Sequence, residues 1–248
     1  MNKEKIKKIV TIVVCAVLIP SVVIVGALFL DKSYAWIAVA VAVLSCVPLF
    51  LHFEKGNSTP RELVLLAVLV ALTALSRFAF AWAQGFKPVT ALAIIVGVYL
   101  GAESGFVVGS LSAVVSNFYF GQGPWTPFQM FAFGLIGLIA GLLRKPFLKR
   151  KWTLYVYGAL SGILFSLVMD VYTTLWADNT FNLSRYLANV VTALPVTALY
   201  VASNVVFLLL LETPVGRMLG RLCKKYGMFG GARKAAPEPA AANTETGK

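Results

Sequence analysis

Apolar residues in this chain run in long, nearly unbroken blocks, and that feature limits what it can become. Val10 to Leu30, Ala35 to Leu51 and Leu63 to Ala83 each come close to the roughly 20 apolar residues that one bilayer crossing needs. Further blocks follow at Val89 to Gly101, Phe106 to Phe118, Phe128 to Leu143, Trp152 to Trp176 and Tyr186 to Leu211. Charge is correspondingly scarce. Only 13% of the residues are Asp, Glu, Lys or Arg, against about 25% in an average soluble domain. The expected fold class is an all-α polytopic membrane protein. A basic start, MNKEKIKK, precedes the first block. That block is longer than the about 7–15 residues of a signal-peptide core, so it reads as an anchor.

Val89 to Phe118 poses the main topological question. As one helix its thirty residues would run about 45 Å, well beyond a hydrocarbon core of roughly 30 Å. Its middle, GAESG, sets Glu103 between Gly101 and Gly105, which marks a turn. The charges favour the same division. A hairpin here makes eight spans and puts the N-terminus, Lys55, Arg61, the RKPFLKRK stretch at 144–151 and the C-terminal tail on one side. Lys and Arg concentrate in cytoplasmic loops, so that side, with both termini, is expected to be cytoplasmic. Lys32, Lys87 and Arg185 then lie outside, and Trp36, Trp82, Trp152 and Trp176 fall at segment ends, where aromatic anchors belong. The net charge of +12 is thus an orientation signal with some attraction to anionic lipid, and no nucleic-acid partner is expected.

Three regions follow. Residues 1–60 read as a two-helix membrane extension ending in the polar linker HFEKGNSTP. Residues 61–212 form a six-helix membrane domain, whose first helix begins near Thr59-Pro60-Arg61-Glu62 with Pro and Glu in its first turn. Residues 213–248 are a tail, basic at first and then Ala/Pro-rich without periodicity, hence disordered. Gly97, Gly101, Gly105 and Gly109 recur every four residues, and Gly134, Gly137 and Gly141 thin the next helix. Such faces allow close helix approach in lipid.

Chemistry-bearing residues are few. Cys15, Cys46 and Cys223 form no spaced pair and His52 is the single histidine, so no metal site is expected. No nucleophile elbow, histidine–carboxylate cluster or carboxylate pair is visible, so no catalytic residues and no cofactor are expected. Two charges lie inside predicted spans, Arg77 and Asp170, each six residues before the outer end of its segment. Ionisable groups at such depth face an interior or a cavity, and these two are placed to meet as an ion pair or as a ligand clamp. Asn117, Gln129, Asn182 and Asn189 gather toward the same outer ends, with Asn204 deeper. The external stretch FYFGQGPWTPFQM, Phe118 to Met130, adds Tyr119, Trp125 and Phe128, and Phe86 joins them from the preceding external loop. Apolar walls with a few polar groups are the usual form of a small-molecule site.

Over about Arg61 to Leu211 the sequence resembles the substrate-binding (S) components of energy-coupling factor (ECF) transporters, which take up vitamins in prokaryotes. The resemblance rests on the small-residue motif Ala67-Val-Leu-Val-Ala71, the short second and third helices of the six, and the FGQGPWTPFQMFAFGLIGLIAG stretch. It implies a multi-pass protein of the prokaryotic plasma membrane that binds its cargo outside, topples in the bilayer and delivers it inward. It further implies a lid in the loop Gln84 to Pro88 and docking of Ala67 and Ala71 on a transmembrane coupling subunit. From the polar and aromatic groups at the outer ends, the cargo site is expected to include Arg77, Phe86, Lys87, Asn117, Tyr119, Trp125, Gln129, Asp170 and Asn189. Two ATPase subunits would supply the energy. The external loop is most similar to members assigned to cobalamin or its precursors, and a thiamin-, pyridoxine- or queuosine-type cargo fits nearly as well. The two extra N-terminal helices and the long tail depart from the family pattern. A reading of another class stays open: a membrane scaffold whose glycine faces pack on partner helices and whose outer loop plugs the bundle.

Overall fold

The computed structural model describes residues 60–178 and 181–229, together with 9, 10, 13–18, 21 and 44. The two expected N-terminal spans fall largely outside the described residues, and the Ala/Pro-rich tail falls wholly outside them. Seven α-helices are described: α1 Pro60–Ala79, α2 Val89–Leu100, α3 Ala102–Phe120, α4 Thr126–Leu142, α5 Arg144–Lys149, α6 Lys151–Asp178 and α7 Leu183–Tyr226. A short π-helical turn, Val14–Leu18, precedes them. By length and composition α1, α6 and α7 can each cross a membrane, while α2 and α4 are apolar but shorter. This is an α-helical membrane protein.

The proposed hairpin is present, and its turn is tighter than the sequence suggests. The chain breaks at Gly101 alone, where φ is 115°, a backbone region that a Cβ makes costly. Gly105 instead lies one turn into α3, with Gly97 opposite it on α2. A Cβ on Gly105 would fall 2.7 Å from the Gly97 Cα and would also strike the Gly137 carbonyl of α4. Three helix backbones therefore meet at a junction that only glycine permits, which is the close packing the glycine spacing anticipates.

α2 sits at the centre. Ten of its twelve residues are buried, the pattern of a helix apolar on every side. α1, α3, α4 and α7 pack around it. Phe133 of α4 stacks on Phe165 of α6 with centroids 4.5 Å apart, and the Tyr157 hydroxyl donates to the Ile136 carbonyl at 2.6 Å. α6 and α7 are antiparallel and pack closely at Gly162, where a Cβ would meet the Val201 nitrogen at 2.8 Å. Beyond that crossing no α7 residue from Leu183 to Ala202 is buried. On its other side α7 outruns the expected end of the last span. It continues as helix through Pro214 to Tyr226, with Glu212, Gly216, Leu219 and Cys223 buried, so the start of the expected tail is structured.

Candidate functional site

The site begins with the helical period of α1. Leu66, Leu69, Val70, Thr73, Ala74 and Arg77 form its buried stripe, so the fold carries Arg77 inward as the last member of an otherwise largely apolar face. Arg77 is only 6% exposed. Its Nη1 donates to the Ser116 hydroxyl and, at 3.3 Å, to Asn117 Oδ1. The Asn117 amide passes the network on to Thr126 Oγ1 at 3.0 Å and Gln129 Oε1 at 2.9 Å. The guanidinium lies 5.3 Å from the Phe120 ring centre and 5.7 Å from that of Phe133. Its Nε is buried without a partner, so the ion keeps one N–H unspent.

The loop after α1 closes over this group. Lys87 receives a reciprocal pair of bonds from α7: its backbone N–H donates to Ser203 Oγ at 2.9 Å, and that hydroxyl donates back to the Lys87 carbonyl at 3.0 Å. The Lys87 ammonium stands 4.6 Å from the Phe120 ring centre. Burial, and then the neighbouring Arg77 charge, hold its pKa below the usual lysine value. Among the described residues neither cation has a carboxylate within ion-pair distance.

Between the loop, α4, α6 and α7 lies a cavity of about 240 Å³, with Arg77, Lys87, Gln84, Gln129, Thr90 and Asn204 among its polar lining and Phe133, Phe165 and Tyr200 among its walls. Two cations, amides and aromatic faces can hold an anionic or acceptor-rich ring; nothing in the set performs bond chemistry. Among the described residues no group of three His, Cys, Asp or Glu side chains could hold a metal.

A second space, about 490 Å³, is a groove along α6 and α7 beyond Gly162, here called the wedge. Ser166 and Thr197, 2.6 Å apart, and Asn189 and Thr174, 3.0 Å apart, still bond the two helices there. Asp170 is its one charged lining residue among apolar neighbours such as Ile163, Leu194 and Val201, and its Oδ2 is buried without a partner. Phe165 and Tyr200 line the cavity while the adjacent Ser166 and Val201 line the wedge, so the helix pair is the wall between the two.

Arg77, Lys87 and Gln129 thus share one cavity, with Asn117 bonded to two of them. Asp170 belongs to the wedge and forms no ion pair with Arg77. Asn189 donates to Thr174 at 3.0 Å. Phe86 packs on Phe207, 5.0 Å between centroids, and anchors the loop. Trp125 abuts Tyr172 at 6.5 Å, and Tyr119, 71% exposed, points away. Phe133, Phe165 and Tyr200 were not singled out by the sequence, because an aromatic ring inside an apolar run carries no contrast.

Residues 61–214, more than half of the chain, match the family described as ECF transporter, substrate-specific component. The chain belongs to that family. It is a transporter's substrate-specific subunit, not an enzyme. No curated protein and no solved structure matches it. The small-residue face of this S component, Ala67 and Ala71, is exposed on α1, flanked by Val64, Val68, Leu72 and Leu75, each also exposed.

Proposed function

We propose that this S component captures a vitamin or related micronutrient on the external side of a prokaryotic plasma membrane and delivers it inward within an ATP-driven importer. The observation that carries the reading is the cavity itself, where Arg77 lies beneath a loop that brings in a second cation, Lys87, and is held to α7 by the two Ser203 bonds. In this reading the chain has eight spans with both termini cytoplasmic, and Gln84 to Pro88 is the outer lid. Breaking the Ser203 pair frees the lid at a cost that ordinary hydrogen bonds set, about 0.5–1.5 kcal/mol each. Ala67 and Ala71 dock on the coupling subunit, and two ATPase subunits drive the cycle.

The cavity also bears on the cargo. At about 240 Å³ it lies just under the roughly 300–1,000 Å³ of drug-sized sites. A single heterocycle carrying a carboxylate, phosphate or carbonyl edge fits it, with the acceptor on Arg77 and Lys87 and the ring against the wall that Phe133, Phe165 and Tyr200 form. A cobalamin-type cargo would have to fill the wedge as well, displacing the α6–α7 contact and meeting Asp170 and Asn189. Uptake of a panel of labelled vitamins by cells carrying this chain with an ECF module tests the proposal. Accumulation of one member that depends on Arg77 supports it, and no accumulation of any member defeats it.

A further inference from the structure

Glu212 to Tyr226, the last fifteen residues of α7, run beneath the bundle as a strap. At about 1.5 Å per residue they span about 22 Å, and their contacts follow one another along that length. Glu212 accepts from Lys151, the first residue of α6, at 2.8 Å and from the Tyr99 hydroxyl, near the end of α2, at 2.8 Å. Gly216 lies against the Tyr99 ring. The Arg61 guanidinium, at the start of α1, sits 5.5 Å from the centre of the Tyr226 ring, and the Phe229 N–H just beyond donates to Glu62. The start of α6, the end of α2 and the start of α1 lie at the same end of the bundle, so this part of α7 crosses that end instead of leaving it.

The strap is sharply two-faced. Glu212, Gly216, Leu219 and Cys223 are buried at helical spacing against the bundle, while Arg217, Arg221 and Lys225 are exposed on the opposite face. Its one carboxylate is 3% exposed and taken by Lys151, so it cannot neutralise the outward charges. Lys145, Lys149 and Arg150, on α5 and the turn after it, are exposed at the same end. Met218 and Tyr226 add apolar contact at 40% and 44% exposure. An amphipathic helix with Lys and Arg outward, lying at the bilayer boundary, is built to hold anionic headgroups. Orientation by positive charge accounts for the side on which these residues lie. It does not account for their segregation onto one face of a helix docked across three others.

We propose that the outward face of the α7 strap binds the phosphate headgroups of anionic phospholipid in the cytoplasmic leaflet. The inference rests on the topology of the preceding reading and is independent of its cargo. The test uses the full chain in nanodiscs of mixed phosphatidylglycerol and phosphatidylcholine, with the lipids retained on the protein counted by native mass spectrometry. Phosphatidylglycerol should be enriched at low salt, less so as salt screens the charges, and Arg217→Gln/Arg221→Gln/Lys225→Gln should cut the enrichment at least tenfold. With Cys15 and Cys46 replaced by Ala, continued protection of Cys223 from alkylation shows that the strap of the variant is still docked. Enrichment unchanged within twofold in a docked variant overturns the proposal. Unchanged enrichment with loss of co-purifying coupling subunit would reassign the face to a protein contact. Loss of enrichment with cargo binding intact would support the strap whatever the cargo proves to be.

Discussion

Replacing Arg77 with Met keeps most of the side chain's length and removes its charge and donors. In the folded protein the change leaves Asn117 Oδ1 without its Arg77 donor, while the Asn117 amide keeps Thr126 and Gln129 and Ser116 keeps its bond to the Ser112 carbonyl at 2.6 Å. One buried acceptor left unmet costs about 1–3 kcal/mol. Removing a cation that has no carboxylate partner offsets part of that cost, because a buried charge is itself expensive. The bundle should therefore survive with a modest fall in unfolding temperature. Binding should suffer more. A hydrogen bond to a charged group contributes about 1.5–3 kcal/mol, and about 1.4 kcal/mol is a factor of ten, so Kd should rise about 10- to 150-fold. Calorimetric titration in nanodiscs, with thermal unfolding on the same preparation, measures both. Tyr119→Ala serves as the control, since Tyr119 points away from the cavity. A folded Arg77→Met protein whose Kd stays within threefold of the parent refutes the assignment of Arg77 to the cargo.

Three further outcomes follow from the same geometry. Ser203→Ala removes both bonds that hold the loop at Lys87, so cargo dissociation followed by stopped-flow should quicken about 5- to 150-fold, at roughly 0.5–1.5 kcal/mol for each bond and about 1.4 kcal/mol per factor of ten; an unchanged rate denies the loop its role as lid. Because burial and Arg77 lower the Lys87 pKa, Lys87 loses its charge sooner than an ordinary lysine as pH rises, and affinity for an anionic cargo should fall in that window. In Lys87→Arg that fall should vanish, which a pH series of titrations reads directly. Ala71→Trp projects from an exposed position on α1, so it should abolish uptake and co-purification with the coupling subunit while leaving Kd unchanged; loss of binding would place α1 in the site instead.

Much of the architecture is legible in the sequence because each physical cause leaves a local mark. Apolar blocks foretell the helices, the length limit foretells the break that falls at Gly101, and four-residue glycine spacing foretells the α2–α3–α4 junction. The strap is hidden by its composition. Pro214 and the basic residues after it resemble the end of a span, and only the weak period Gly216, Leu219, Cys223 betrays a docked face. In the site, Arg77, Lys87 and Gln129 stand out as polar groups in apolar surroundings. Phe133, Phe165 and Tyr200 do not, since nearly every neighbour is also apolar and the packing partner alone selects the lining face. Arg77 and Asp170 match in sequence depth yet line separate spaces, because a helix's facing is set by what it packs against. The crowded FYFGQGPWTPFQM stretch spends much of its chemistry on itself: Gln122 Nε2 donates to the Val114 carbonyl at 3.0 Å, Thr126 bonds Gln122 at 3.0 Å, and Trp125 lies over Gly121 and Gly123.

The most direct test of the central claim is solvent extraction and mass spectrometry of the purified protein, expressed in rich medium, beside its Arg77→Met variant. One vitamin-sized compound per chain, with an acidic or carbonyl-bearing ring and greatly reduced in the variant, is the predicted result. A parent protein that yields no such compound, binds none of a vitamin panel and draws down no coupling subunit would contradict cargo capture and leave the bundle a scaffold.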